Sequence, residues 1–203
     1  MEYAIVILLS YILGSSNMAK YLAMAKKVDL TAGGSGNLGA SNAVILMGWG
    51  AGVLTGIHDI GKSALAVILA RLVFPDAPHI GAVAGVASVL GHIYPFWMNF
   101  KGGKGFASYL GMTLALNWKF AIVVLALVVA VTLITDYIVA GTTTTIVLVP
   151  IYMGISTGSL VLPLILLVAT AVIAWKHKDN YVRIYKGTEI GFRSAGRGDH
   201  RVK

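Results

Sequence analysis

Cysteine is absent from the 203-residue chain, and charged residues make up only 12% of it. The lack of cysteine excludes disulfides, thiolate nucleophiles and cysteine-ligated metals. The scarcity of charge excludes an ordinary soluble domain, because such domains carry about 25% charged residues. Hydrophobic residues account for 57% of the chain. The composition therefore predicts an integral membrane protein.

Long apolar runs fill most of the sequence, and a helix that crosses a bilayer needs roughly 20 mostly apolar residues. The pattern predicts an all-α polytopic membrane protein with about seven transmembrane helices, and five spans with re-entrant pieces are the alternative. The apolar segments lie near residues 3–24, 43–73, 79–99, 105–117, 119–135, 137–155 and 159–175. The first run lacks the basic start of a signal peptide, so we expect it to remain as a span.

Positive charge is distributed unevenly among the segments between these runs. If seven helices alternate, 13 of the 16 Lys and Arg residues lie on one side, two lie on the other, and Lys62 lies within a span. Positively charged residues concentrate on the cytoplasmic side of membrane proteins. The distribution therefore predicts an external N-terminus and a cytoplasmic C-terminus. Residues 1–203 are expected to form one integral membrane domain that ends in a short basic cytoplasmic tail from about residue 176.

Residues 56–63, GIHDIGKS, satisfy the phosphate-binding pattern G-x-x-x-x-G-K-S. That loop joins a strand to a helix in a soluble α/β fold, whereas this stretch is apolar on both sides. The match therefore does not predict an NTPase. It does leave Asp59 and Lys62 inside a span, three residues apart on one helix face. Such charges are costly in a membrane, so they either form a structural ion pair or face a polar cavity.

Three polar segments lie on the predicted cytoplasmic side. The first motif is GGSGNLGASN, residues 33–42; the second motif is GHIYPFWMNFKGGKGFASYLG, residues 91–111; and the third motif is KHKDNYVRIYKGTE, residues 176–189. Dense glycine lets backbone N–H groups approach an anion, and Ser, Asn and Lys add donors. Each motif alone also has a purely structural explanation. The first fits a flexible turn, the second a membrane-interface anchor with a structural histidine, and the third an amphipathic surface helix. Together they indicate a cytoplasm-facing site for phosphorylated small molecules.

The three motifs, in this order and following YILGSSNMAKYLAMAKKVDL, resemble the bacterial acyl-phosphate:glycerol-3-phosphate acyltransferases. FKGGKG between two helices is the most specific part of the resemblance. It implies transfer of a fatty acyl group from acyl phosphate to the 1-hydroxyl of sn-glycerol 3-phosphate. The products are lysophosphatidic acid and phosphate, in the first acylation of phospholipid synthesis, at the bacterial inner membrane. The implied partners are the two substrates and membrane lipids. No cofactor, metal or nucleic acid is implied, and protein partners stay open.

The resemblance also assigns residues to the site. The implied catalytic residues are Lys104, His177 and Asn180. The implied substrate-binding residues are Ser35, Gly36, Asn37, Asn42, Lys101, Gly102, Gly103 and Glu189. Three further residues are expected to line the site: Asp59, Lys62 and His92. No His is followed five residues later by Asp, so the dyad of acyl-CoA-dependent acyltransferases is absent. We therefore expect direct transfer without an acyl-enzyme, with the donor phosphate taking the proton.

Two arginines of the family pattern are missing from this chain. The family pattern has Arg three residues after the Asn of the first motif, where this chain has Ile45. It has a second Arg in a D-x-R element, where this chain has Thr31 after Asp29-Leu30. Isoleucine cannot grip a phosphate as a guanidinium does. The loss indicates either weaker or altered binding of the acceptor, or a paralogue with a different substrate or no activity. A transporter of an anionic metabolite is the other alternative, although no inverted repeat supports it.

Overall fold

The computed structural model describes residues 1–196, and within them eleven α-helices follow one another without any strand. The end of the predicted basic tail, residues 197–203, lies outside this description. The helices are α1 Glu2–Gly14, α2 Met18–Lys26, α3 Ala40–Met47, α4 Trp49–Val73, α5 Ile80–Ile93, α6 Phe106–Leu116, α7 Trp118–Thr135, α8 Ile138–Thr157, α9 Val161–Lys176, α10 Lys178–Tyr185 and α11 Phe192–Gly196. A 3-10 turn, Phe96–Met98, follows α5.

Five helical segments in the described residues are long and apolar enough to cross a membrane: Glu2–Lys26, Trp49–Val73, Ile80–Met98, Trp118–Thr135 and Ile138–Thr157. The pair α9 and α10, bent by 47°, brings the number to six if it forms one span. The all-α polytopic membrane fold is confirmed. The predicted number of seven is not, because the segment near 105–117 folds into α6, which has only 11 residues. At 1.5 Å per residue, α6 is about 16 Å long and shorter than the hydrocarbon core.

The chain divides into two compact units, Met1–Trp118 and Lys119–Lys203. In the first unit, α1 packs against α5 and α4 packs against both α5 and α6. Glycine makes these approaches close: a Cβ added to Gly14 would overlap the backbone of Ser88, and one added to Gly111 would overlap the carbonyl oxygen of Ile60. Small residues at helix interfaces are a common device of membrane proteins, because helices there gain stability by close van der Waals packing.

The second unit holds α8 against α9, and its C-terminal segment returns to the turn between α7 and α8. Asp136 in that turn accepts a hydrogen bond from the backbone N–H of Arg193 at 2.9 Å, and its carbonyl oxygen accepts one from Phe192 at 2.7 Å. The Arg193 guanidinium also donates to the carbonyl of Leu133 at 2.7 Å. The α7–α8 turn and the residues that follow α10 therefore lie at the same end of this unit.

We predict that Gly111→Ala destabilises the protein by about 1–3 kcal/mol, because the new methyl group must displace the α4 backbone at Ile60. Gly61→Ala is the matched control, since a Cβ on Gly61, the next residue on α4, meets no atom within 4 Å. Thermal unfolding of both variants in detergent checks this. Equal melting temperatures for the two variants would contradict the close α4–α6 approach.

Candidate active site

The break between α1 and α2 connects the first unit's two motifs. Asn17 caps α2 by accepting a hydrogen bond from the Lys20 N–H at 2.8 Å, as a side chain at that position often does. Its amide nitrogen donates to the carbonyl of Leu38 in the first motif at 3.1 Å. Two residues earlier, the carbonyl of Ser15 accepts a hydrogen bond from the indole of Trp97, in the second motif, at 2.8 Å.

Aromatic rings reinforce the link between the first two helices and the second motif. The ring of Trp97 stacks on Tyr21 of α2, with centroids 5.6 Å apart and planes 16° from parallel. The hydroxyl of Tyr11 on α1 donates to the carbonyl of Tyr94, just after α5, at 2.6 Å. The start of the second motif is therefore held to α1 and α2 by specific contacts.

Asp59 and Lys62 form a buried ion pair on α4, and the pair is joined to α5 and to the α1–α2 break. The Lys62 ammonium lies 2.8 Å from Asp59 Oδ1, 2.6 Å from the carbonyl oxygen of Ser16 and 2.9 Å from His92 Nδ1. His58 approaches the same carboxylate oxygen, with Nδ1 3.4 Å from Asp59 Oδ1. The ion pair, one of the two alternatives that the sequence left open, is present, and it also contacts a histidine of the second motif.

The first motif forms a glycine-rich turn that is held by hydrogen bonds to the side chain of Asn42. Asn42 is fully buried; its Oδ1 accepts from the Ser35 N–H at 2.8 Å and its Nδ2 donates to the carbonyl of Leu30 at 2.8 Å. Gly34 and Gly36 have φ of +57° and +66°, which favours glycine. Ser35 and Gly36 are exposed at the surface of the turn. The amide of Asn42 thus shapes the turn, and its predicted contact with substrate stays a prediction.

The second motif packs its glycine pair directly on the end of α5. The N–H groups of Gly102 and Gly103 donate to the carbonyl oxygens of Ile93 and His92 at 3.0 and 3.2 Å. A Cβ on Gly103 would overlap the imidazole of His92, and one on Gly102 would overlap the His92 carbonyl. These two N–H groups therefore already have partners within the protein. Donors for an anion must come from farther along the segment, where the N-terminus of α6 follows.

The two lysines of the second motif differ in burial. Lys101 is exposed, whereas Lys104 is partly buried immediately before Gly105, the N-cap residue of α6. The first N–H groups of a helix lack intrahelical partners and favour negative charge. A cation held beside such an end makes a local environment suited to phosphate.

The third motif is organised by Glu189, whose carboxylate returns to α10 after the turn at Gly187. One carboxylate oxygen accepts from the Asn180 amide and the other accepts from Arg183 Nε at 2.6 Å. At the start of α10, His177 Nδ1 lies 2.8 Å from the carbonyl oxygen of Ile173. A carbonyl only accepts, so Nδ1 carries a proton and Nε2 is the acceptor nitrogen of the neutral ring.

The structure places predicted site residues in contact within each unit. In the first unit, Asp59, Lys62 and His92 are in contact. In the second unit, Asn180 is hydrogen-bonded to Glu189, and His177 is the N-cap residue of α10. Sequence reasoning missed the Ser15-Ser16-Asn17 break, whose contacts join α1 and α2 to the first motif, the second motif and α4. A cluster of small and polar residues, GSSN, inside an apolar run, with Asn at a helix start, was the available signal.

Two features of the first motif region bear on the missing arginines. The hydroxyl and N–H of Thr31 both donate to Asp29 Oδ1, at 2.7 and 2.8 Å. Both hydrogen bonds favour the charged form of the Asp29 carboxyl, and the one from the hydroxyl has the larger effect. They hold the pKa of that carboxyl below its ordinary value. Ile45 on α3 lies beside the glycine turn: its Cγ2 would be 3.1 Å from a Cβ on Gly34. Residue 45 is therefore close to the turn but carries no charge.

The fold and these motifs define a multi-pass helical membrane protein in which a glycine-rich turn and a glycine-lysine segment lie in the same unit. Comparison with known proteins specifies it further. The chain matches the glycerol-3-phosphate acyltransferase family over residues 4–187. It is 35% identical over 191 residues to the glycerol-3-phosphate acyltransferase of Prochlorococcus marinus (strain MIT 9215), a match covering 91% of this chain and 95% of that protein.

Two crystal structures of PlsY (YgiH), an integral membrane glycerol 3-phosphate acyltransferase, have the same fold. The glycerol 3-phosphate form gives a TM-score of 0.90 at 28% identity, covering 97% of this chain and 98% of that one. The lysophosphatidic acid form gives a TM-score of 0.86 at 27% identity, covering 97% and 100%. The chain belongs to the glycerol-3-phosphate acyltransferase family, as the sequence resemblance indicated.

We predict that Glu189→Gln lowers acyl transfer and loosens the third motif, because a glutamine amide offers one acceptor oxygen to two donors, Asn180 and Arg183. An unmet charged hydrogen bond costs about 1.5–3 kcal/mol. Asp179→Asn is the matched control, since Asp179 lies on α10, the helix that Glu189 contacts, but is itself exposed. Steady-state rates and melting temperatures of both variants check this. Equal effects of the two substitutions would show that Glu189 has no special part in the motif.

Proposed function

We propose that this chain transfers a fatty acyl group from acyl phosphate to the 1-hydroxyl of sn-glycerol 3-phosphate, giving lysophosphatidic acid and phosphate. Membership of the family over residues 4–187 is the observation that carries the proposal. The solved relatives in glycerol 3-phosphate and lysophosphatidic acid forms support both the acceptor and the product. The acyl-phosphate donor rests on the motif resemblance and on the absence of cysteine and of the His-x-x-x-x-Asp dyad.

In the proposed reaction the acceptor hydroxyl attacks the acyl carbon, a carbon–oxygen bond forms, and the bond from that carbon to the phosphate oxygen breaks. The hydroxyl proton moves to the departing phosphate, so the atoms and charge balance without an added base. Phosphate is a good leaving group in a mixed anhydride. The protein's main contribution is therefore to bind the two substrates in the correct geometry and to stabilise charge.

Each motif receives a role in this proposal. Lys104 and the first N–H groups of α6 neutralise a substrate phosphate, with Lys101 contributing nearer the surface. The exposed turn at Ser35 and Gly36, with the partly exposed Asn37, binds a second anionic group. His177, held by its Nδ1–H bond to the Ile173 carbonyl, orients the acceptor or the donor, and Asn180 is held in place by Glu189. Asn42, Gly102 and Gly103 shape the two phosphate-binding segments from within.

We further propose that the enzyme lies in the bacterial inner membrane with its N-terminus outside and its motifs and C-terminus in the cytoplasm. The distribution of Lys and Arg supports this orientation. The second unit is consistent with it, because the α7–α8 turn, predicted to be cytoplasmic, lies at the same end as Phe192 and Arg193. The orientation requires α6 to count as one crossing despite its length.

The test of the function uses purified protein with palmitoyl phosphate and glycerol 3-phosphate, and it follows lysophosphatidic acid and phosphate. We expect the two products in equal amounts. Robust acylation with acyl-CoA alone, in protein free of other acyltransferases, would overturn the donor. Phosphate release without lysophosphatidic acid would overturn the acceptor.

We predict that Lys104→Ala abolishes turnover, because it removes the ammonium that meets a substrate phosphate beside the α6 N-terminus. Lys101→Ala is the matched control and should reduce the rate much less, since that lysine is exposed. Rates are measured on variants whose folding in detergent is verified by melting temperature. A folded Lys104→Ala variant with near wild-type rates would remove Lys104 from the site.

We predict that a topology reporter fused after Lys203 reads cytoplasmic and that one inserted at Asp76, between α4 and α5, reads external. The charge distribution gives this result if the helices alternate as proposed. A cytoplasmic reading at Asp76, with α4 and α5 both crossing the membrane, would put the first and second motifs outside, which is incompatible with their proposed cytoplasmic orientation.

We predict that Ile45→Arg lowers the KM for glycerol 3-phosphate by roughly tenfold and changes kcat less, because a guanidinium beside the glycine turn adds charged hydrogen bonds to bound phosphate. Ile45→Met, an uncharged change at the same position, is the control. Steady-state kinetics with glycerol 3-phosphate and with glycerol separate the outcomes. An unchanged KM in the Arg variant would reject the idea that the missing clamp limits acceptor binding.

A further inference from the structure

We propose that Lys62 is a positioning residue that fixes the tautomer of His92 and, through it, the conformation of the glycine pair in the second motif. The inference rests on the proposed function for its kinetic consequence, but its structural content stands on three hydrogen bonds. None of the motifs contains Lys62, which lies on α4 between the first and second motifs in the sequence.

The Lys62 ammonium has three N–H donors and three acceptors around it. They are Asp59 Oδ1 at 2.8 Å, the Ser16 carbonyl oxygen at 2.6 Å and His92 Nδ1 at 2.9 Å. The residue is only 5% exposed, so water cannot replace a missing partner. A structural ion pair needs only the bond to Asp59. The bond to His92 connects the ion pair to the second motif, so Lys62 does more than compensate the charge of Asp59.

The bond to Lys62 determines where His92 carries its proton. An ammonium can only donate, so Nδ1 must accept, and the single proton of the neutral ring then resides on Nε2. The competing arrangement, in which Nδ1–H donates to Asp59 Oδ1, has the longer distance of 3.3 Å and would set two donors against each other at 2.9 Å. The shorter contact therefore favours the Nε2–H tautomer.

The protonated edge of His92 faces the glycine pair. A Cβ on Gly103 would overlap Nε2 and its neighbouring carbon, so the ring edge lies directly against the Gly103 backbone. The same residue's carbonyl oxygen accepts the Gly103 N–H at 3.2 Å. Ring and backbone of His92 thus hold Gly103 from two sides. If the ring rotates after loss of the Lys62 bond, the segment that leads to Lys104 must move with it.

The neighbouring groups complete the same arrangement. His58 Nε2 lies 3.0 Å from the hydroxyl of Ser16, while its Nδ1 approaches Asp59. His58 therefore joins the Asp59 carboxylate to the hydroxyl of Ser16. The four side chains and the Ser16 carbonyl form one buried network between α4, α5 and the α1–α2 break.

The direct test is nitrogen NMR of [¹⁵N]histidine-labelled protein in detergent, with His92 assigned by its loss in His92→Gln. Protonated and unprotonated ring nitrogens have well-separated shifts. We expect Nε2 protonated and Nδ1 unprotonated in the wild-type protein. A protonated Nδ1 in the wild type would overturn the proposal. This readout needs no catalytic activity, so its failure is distinguishable from a failure of the proposed acyltransferase function.

The kinetic test compares two changes in the same helix pair. Lys62→Met combined with Asp59→Asn removes the ion pair without leaving an unpaired buried charge, and we expect kcat/KM for palmitoyl phosphate to fall roughly tenfold or more. Ser63→Ala is the control. It removes a buried hydrogen bond to Ser88, 2.8 Å long, between the same two helices without touching His92. Equal losses in both variants would reduce Lys62 to a packing role and overturn the proposal.

Histidine replacements cover the case in which the double variant does not fold. The amide of His92→Gln extends to the position of Nε2 and keeps an N–H donor at Gly103. The shorter amide of His92→Asn ends near Nδ1 and keeps only the acceptor for Lys62. We expect His92→Gln to retain several-fold more activity than His92→Asn at similar melting temperatures. The reverse order would contradict a role for the protonated edge.

Discussion

A buried ammonium group needs an acceptor for each of its three N–H bonds. The three acceptors of Lys62 lie on its own helix α4, on α5 and in the break between α1 and α2. Buried charge is tolerated in a membrane protein only when it is paired and hydrogen-bonded. The position of α5 relative to the α1–α2 break is thereby constrained at one point. His92, which makes this contact on α5, belongs to the second motif. The glycine pair of that motif hydrogen-bonds to the last residues of α5.

Backbone geometry explains why glycine dominates the two motifs of the first unit. In the first motif, positive φ angles and the close approach of Asn42 to Gly34 leave no room for a side chain. In the second motif, the His92 ring and carbonyl occupy the space that a Cβ would need. The glycines serve the proposed chemistry mainly by letting the chain turn tightly, while charge comes from Lys104 and from the N-terminus of α6.

The sequence was sufficient for the membrane class, the family and the three motifs, because apolar run length, charge asymmetry and glycine-lysine spacing are local signals. It placed Asp59 and Lys62 on one helix face, as i and i+3, and left open whether they form an ion pair or face a polar cavity. It could not show that His92 joins them, because that contact depends on how α4 and α5 pack. The helix boundaries predicted from the sequence were imperfect. The apolar run at residues 43–73 is interrupted at Gly48, where α3 ends, and α6 is shorter than a transmembrane span. The bonds from Lys62 and Trp97 to Ser16 and Ser15 are accepted by backbone carbonyls, so the serine side chains do not reveal these partners.

In the proposed reaction acyl transfer is direct, between two anionic substrates held by backbone and lysine, with no acyl-enzyme. The most direct measurement is rapid-quench analysis of phosphate release from palmitoyl phosphate, at enzyme concentrations comparable to the substrate, with and without glycerol 3-phosphate. Direct transfer predicts no phosphate burst without the acceptor, and equal amounts of phosphate and lysophosphatidic acid once the acceptor is added. A burst of phosphate equal to the enzyme concentration in the absence of glycerol 3-phosphate would reveal a covalent intermediate and contradict the account.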